Sequence, residues 1–141
     1  MAIGLSTYAL FWEWSALNPD PISLRGMLER TRELGSDLFQ ICDYAPVEEL
    51  DAGELAEIRR IADDLGIALE LGTRGVEPDH LVRYLQIADV LGATVLRSMV
   101  QRGPGKPDLA TSARLVAGLL PELEQRGVTL ALETYEQVST A

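Results

Sequence analysis

Four times in this chain a helix-like run closes on a glycine and an apolar run of strand character begins at once. The joints are Glu33-Leu34-Gly35, Asp64-Leu65-Gly66, Val90-Leu91-Gly92 and Gln125-Arg126-Gly127. Glycine tolerates the left-handed conformation that closes a helix. The segments that follow are SDLFQICDY, IALELGTRG, ATVLRSMV and VTLALETYE, and IGLSTY precedes them all. The order is therefore β-α-β-α-β-α-β-α-β, the cadence of parallel β/α units.

The spacing and the strand faces narrow the architecture. Strands expected to start near residues 3, 37, 67, 94 and 128 recur about every 31 residues. Eight such units need roughly 250 residues, the size of a (β/α)8 barrel. In a doubly wound sheet both faces meet helices and the strands read apolar throughout; here they alternate. Val128, Leu130 and Leu132 oppose Thr129, Ala131 and Glu133. Ile67, Leu69 and Leu71 oppose Ala68, Glu70 and Gly72, and Phe39 and Ile41 oppose Gln40 and Cys42. One face suits helices and the other a barrel interior with a polar mouth. No G-x-G-x-x-G follows the first strand, which disfavours a dinucleotide site. The expected fold is a single α/β domain of parallel (β/α) units of a TIM barrel, with about four and a half of eight units present.

The spacing predicts strands at Ile3–Tyr8, Leu38–Cys42, Ile67–Leu71, Thr94–Met99 and Val128–Glu133. The first helix is expected from an N-cap at Ser23 to Leu34, the second from near Pro46 or Asp51 to Leu65. The third opens at Pro78 and runs to Leu91, and the fourth spans about Asp108 to Arg126 with Pro121 bending or restarting it.

Composition excludes some functions. The chain has 141 residues, 22 acidic against 12 basic, and a net charge of −10. Phosphate-backbone binding needs clustered Lys and Arg, so nucleic acid is not an expected partner. Cys42 is the single cysteine, so no internal disulfide forms, and its place in an apolar strand reads as a small buried residue. One His and one Cys cannot build a zinc site of thiolates and imidazoles. No basic leader opens the chain and no apolar run reaches about 18 residues, so the expectation is a cytoplasmic protein without membrane spans.

In β/α barrels chemistry sits at the C-terminal ends of the strands. That rule selects Ser6 and Tyr8, then Gln40, Asp43 and Tyr44, then Glu70 and Arg74, then Arg97 and Ser98, then Glu133 and Glu136. Glu133 faces inward by alternation on an apolar strand, so its carboxylate should be paired, metal-bound or protonated. The plainer alternative is an ion pair with Arg97 on the neighbouring strand. Glu70 and Arg97 offer another such pair. Arg74, in Gly72-Thr73-Arg74-Gly75, suits a substrate carboxylate or phosphate, or simply solvent. Phe11, Trp12 and Trp14 suit a pocket wall, a core cap or a subunit contact. His80 is expected on the surface, away from any strand end.

Leu5-Ser6-Thr7-Tyr8, Gln40-Ile41-Cys42-Asp43-Tyr44, Glu70-Leu71-Gly72-Thr73-Arg74-Gly75 and Leu130-Ala131-Leu132-Glu133 together resemble the xylose-isomerase-like TIM barrels of the sugar phosphate isomerase/epimerase family. The resemblance covers the whole chain and the N-terminal half of that family's barrel. It implies a metal-dependent isomerase or epimerase of a sugar, sugar phosphate or small hydroxy-keto acid, working through an enediolate. Glu133 matches the family's first ligand of a divalent ion (manganese, magnesium, cobalt or zinc) and is the expected catalytic residue. Tyr8, Trp12, Tyr44, Arg74, Arg97 and Glu136 are the expected substrate contacts, and the partner is a small carbohydrate-like molecule. The remaining ligands are expected on strands six to eight, so residues 1–141 alone should be inactive. Apurinic endonucleases share the barrel, but their histidine positions are here Gly72-Thr73-Arg74 and Arg97-Ser98. The alternative reading is a non-catalytic or self-associating half barrel that needs a second chain, and a homo-oligomer is compatible with both.

Overall fold

A computed structural model describes residues 3–103, 105 and 107–133 of the chain. Five parallel strands lie side by side in sequence order: β1 (Gly4–Ser6), β2 (Leu38–Cys42), β3 (Ala68–Gly72), β4 (Val95–Met99) and β5 (Thr129–Glu133). Between them run α1 (Phe11–Trp14), α2 (Leu24–Glu33), α3 (Ala52–Leu65), α4 (Pro78–Leu91), α5 (Leu109–Ala117) and α6 (Leu120–Arg126). Strictly sequential parallel order is the order of a β/α barrel wall, as the alternation of strand faces anticipates.

The joints behave as their glycines require. Gly35, Gly66, Gly92 and Gly127 all adopt positive φ, between 63° and 79°. Each helix thus turns directly into its strand, and each strand begins at the same end of the sheet. Helix starts are equally legible. Ser23 accepts a hydrogen bond from the Gly26 amide at 3.2 Å. Asp51 and Glu54 form a reciprocal capping box, at 2.9 Å and 2.8 Å. Both expected starts of the second helix are real: a 3-10 turn at Ala45–Glu48 carries Pro46, and α3 begins after Asp51. The expected fourth helix is divided into α5 and α6, and Pro121 stands in the first turn of α6, where its missing N–H costs nothing. Strand one is shorter than expected, because Ser6 and Thr7 already accept turn hydrogen bonds from Ala9 and Leu10. The aromatic run after it forms the single helical turn α1.

The core lies on one face of the sheet. Phe39, Ile41, Leu71 and Leu96 from the strands are fully buried against Met27, Leu28, Leu81, Leu85 and Leu91 from the helices. Each such side chain contributes about 1.5–3 kcal/mol relative to exposure. On the opposite face the register stacks Ser6, Gln40 and Glu70 in one row, and Cys42, Gly72, Arg97 and Ala131 in the next. This is the polar inner face expected of a barrel interior. Gly72 is required there: a Cβ on it would lie 2.6 Å from the Cys42 sulfur. Cys42 itself is 2% exposed, as expected of a small buried residue.

Candidate functional site

The C-terminal ends of β1, β2 and β3 converge on one cleft of about 440 Å³. Three residues that follow these strands meet inside it. The Tyr8 hydroxyl donates to Asp43 Oδ2 at 2.6 Å. Arg74 donates through Nε to the same oxygen at 2.9 Å and through Nη2 to the Tyr8 oxygen at 2.6 Å. Asp43 adopts φ 48°, a left-handed conformation that aspartate tolerates better than most side chains, and this turn aims its carboxylate across the cleft. Its side chain is 16% exposed and that of Arg74 is 49% exposed, so the pair stands at the mouth with the guanidinium outward.

Tyr8 and Arg74 hold their protons more tightly in this arrangement. Tyr8 titrates above its ordinary value, first because its proton is held by Asp43 and then because of burial, with Arg74 pulling the other way. Arg74 is held above its ordinary value by the bonds to Asp43 and then Tyr8. At neutral pH the mouth therefore presents a guanidinium and a neutral phenol.

Around the triad stand an apolar wall and a second polar chain. Trp14 is anchored by its indole N–H to the Thr7 carbonyl at 2.7 Å, with Phe11 edge-to-face at 5.5 Å. His80, from the first turn of α4, shares a 2.7 Å hydrogen bond between its Nε2 and the Thr73 hydroxyl. The His80 ring also lies against Tyr84, with centroids 4.9 Å apart. The Tyr84 hydroxyl donates to Glu48 at 2.7 Å; burial first, and that bond among the further causes, push the phenol well up. His80 is only half-buried, but it does not lie away from a strand end as expected: it meets Thr73, the residue directly after β3. A side chain in the first turn of a helix leans back toward the preceding strand end, and α4 begins six residues after β3.

The other expected residues fall elsewhere. Arg97 and Glu133 form the ion pair that the sequence offered as the alternative for both, and Arg97 Nη1 also reaches the Cys42 sulfur at 2.8 Å. Both sit on the inner face beyond the cleft lining. Glu70 accepts from Gln40 at 3.0 Å; among the described residues that bond takes the place of the expected pairing with Arg97. Tyr44 packs behind Trp14, with centroids at 5.0 Å, and lines an outer cavity between α2 and α3. Trp12 is 74% exposed beside Phe11 and does not line the cleft. Glu136 lies outside the described residues. Among the described residues no group of three or more His, Cys, Asp or Glu side chains converges to hold a metal ion. Glu133 is engaged by Arg97, so the described residues alone do not assemble a metal centre.

No family model matches the chain. Solved structures share its architecture: D-psicose 3-epimerase in the presence of D-fructose superposes with a TM-score of 0.75 at 20% identity, over 97% of this chain and 53% of that one. Its fold is that of the N-terminal half of a xylose isomerase-like TIM barrel. A xylose isomerase-like TIM barrel protein from Mycobacterium smegmatis, in complex with magnesium, gives a TM-score of 0.68 at 19% identity, over 96% of this chain and 55% of that one. In sequence, the 3-oxo-isoapionate decarboxylase of Pectobacterium atrosepticum is 52% identical over 140 residues, which are 99% of this chain and 51% of that protein. The chain thus spans about half the length of the relatives it matches.

Proposed function

We propose that this chain forms the substrate-binding half of an enzyme that makes an enolate from a small polyhydroxylated keto acid, and that the reaction is decarboxylation of a 3-oxo acid. The observation that carries the reading is the cleft at the strand ends, where Arg74 is oriented by Asp43 and Tyr8 beside an aromatic wall. Support for the substrate class comes from the 52% identity to a 3-oxo-isoapionate decarboxylase. Isomerase, epimerase and decarboxylase share one intermediate. When a 3-oxo acid loses CO2, the C1–C2 bond breaks and its electron pair passes into the C3 carbonyl as an enolate. A proton then returns to C2. An epimerase or isomerase reaches the same kind of anion by removing a proton instead.

The chain's own residues supply binding and shielding. Trp14 and Phe11 exclude water from one side of the cleft, which strengthens the polar contacts opposite. Tyr8 offers a neutral oxygen to substrate hydroxyls and Arg74 a fixed cation. Glu133 is the proposed proton carrier and one proposed ligand of a divalent ion, in either case after release from Arg97.

The test joins this chain to the C-terminal half of the Pectobacterium relative and measures CO2 release from 3-oxo-isoapionate. The joined protein is expected to release CO2, its Glu133→Gln variant to lose that activity, and residues 1–141 alone to release none above background. Turnover by residues 1–141 alone, or an inert joined protein that folds, contradicts the proposal.

A further inference from the structure

Arg74 and His80 form the common wall of two cavities. One is the cleft of about 440 Å³; the other, of about 270 Å³, opens between the loops that follow β3 and β4 and is also bounded by Gln101 and Gly103. A ligand that spans from one cavity to the other passes both side chains. We propose that these two residues are the subsite for the substrate's carboxylate, an inference that rests on the keto-acid reading above.

The geometry of Arg74 carries it. A guanidinium has five N–H donors in a planar fork. Two are committed, to Asp43 and Tyr8, and among the described residues Nη1 has no protein partner. Two anchors on one edge fix the plane of the group, so the rest of the fork is presented without further ordering cost. The loop that carries it is equally fixed. The Thr73 amide donates to the Arg97 carbonyl at 2.9 Å, Gly75 to Met99 at 3.1 Å and Val76 to Gln101 at 3.0 Å. His80 ties the same loop to α4 through Thr73 and brings its own ring to the anion's other side. The carboxylates nearby are already answered: Asp43 by Arg74 and Tyr8, Glu48 by the Tyr84 hydroxyl, and Glu77, which also lines the second cavity, by Arg102. An incoming carboxylate therefore meets an oriented cation on one wall and aromatic faces on the other, which sets which end of the substrate enters first.

The role is selection rather than rate. As CO2 forms, negative charge leaves the carboxylate for the carbonyl oxygen, so a fork on the carboxylate stabilises the bound substrate more than the transition state. In the joined enzyme Arg74→Gln should raise KM at least tenfold without lowering kcat in proportion.

The direct test measures binding of acetoacetate and its neutral methyl ester to the full chain by calorimetry. The chain is expected to bind the acid at least tenfold more tightly than the ester. Arg74→Gln should abolish that preference, Arg74→Lys should keep part of it because charge survives without the fork, and His80→Gln should reduce it about threefold. Thermal melts establish that the variants are folded, and a preference unchanged in Arg74→Lys overturns the subsite even where Arg74→Gln does not fold. Equal binding of acid and ester by the native chain, or an undiminished preference in Arg74→Gln, also overturns it. The keto-acid reaction is judged separately by CO2 release: release with the preference undiminished in Arg74→Gln rejects the subsite alone. A preference lost in Arg74→Gln, with no CO2 release, supports the subsite and rejects the reaction.

Discussion

Asp43 is the residue on which the mouth of the cleft turns. It holds Arg74 and accepts the Tyr8 hydroxyl's hydrogen bond with one oxygen, from a left-handed backbone position. Asparagine tolerates that conformation, so Asp43→Asn keeps the turn and removes the charge. The Tyr8 phenol should then titrate closer to its ordinary value, because its largest upward cause is the bond to Asp43. Absorbance titration of the phenols checks this, and an unchanged Tyr8 midpoint refutes the arrangement. Gly72 tests the layer beneath. A methyl group there meets the Cys42 sulfur at 2.6 Å, its Cβ at 3.0 Å and its backbone Cα at 3.3 Å, and the sulfur is buried. Gly72→Ala should destabilise the fold by about 1–3 kcal/mol in denaturant titration. Asp43, Arg74 and Tyr8 were each legible as strand-end residues, but their meeting was not. It depends on the turn after β2, which no local pattern encodes.

Elements are where the sequence reads best, because their signals are local. The Asp51–Glu54 capping box is visible in four consecutive residues and is formed as the pattern requires. Asp51→Ala should cost about 1 kcal/mol, read as a lower unfolding midpoint with unchanged slope. The glycine joints fix where β2, β3, β4 and β5 begin, and Pro121 marks where α6 restarts. Two elements escape this logic. The turn α1 has only four residues and no side-chain cap, and it is held instead by tertiary bonds such as the Trp14 indole on Thr7. The placement of His80 is not visible in the local pattern, because the first turn of α4 meets the β3 end through the hydrogen bond to Thr73. The available signal was the short distance in sequence from Gly72 to Pro78.

At the scale of the whole molecule, the five-stranded wall buries its helices on one side and keeps polar and small residues on the other. Buried phenols and the thiol give this wall a pH limit. Tyr84 and Tyr44 are pushed above the ordinary 10.0, and Cys42 above 9.0, each chiefly by burial. The native state therefore keeps these protons longer than the unfolded chain does. Their contribution to stability is complete below about pH 9 and declines as pH rises above that, most steeply above pH 10. Unfolding free energy measured from pH 8 to 11 should fall, and a rise over that window contradicts the burial. The cleft at the ends of β1, β2 and β3 is proposed to receive a small keto acid. A 15.4 kDa chain suits amide chemical-shift mapping, and a titration with 3-oxo-isoapionate reads such binding residue by residue. Saturable shifts are expected at Tyr8, Asp43, Arg74 and His80. Shifts confined to the outer cavity around Leu50 and Ile58, or none at millimolar ligand, would contradict the proposal.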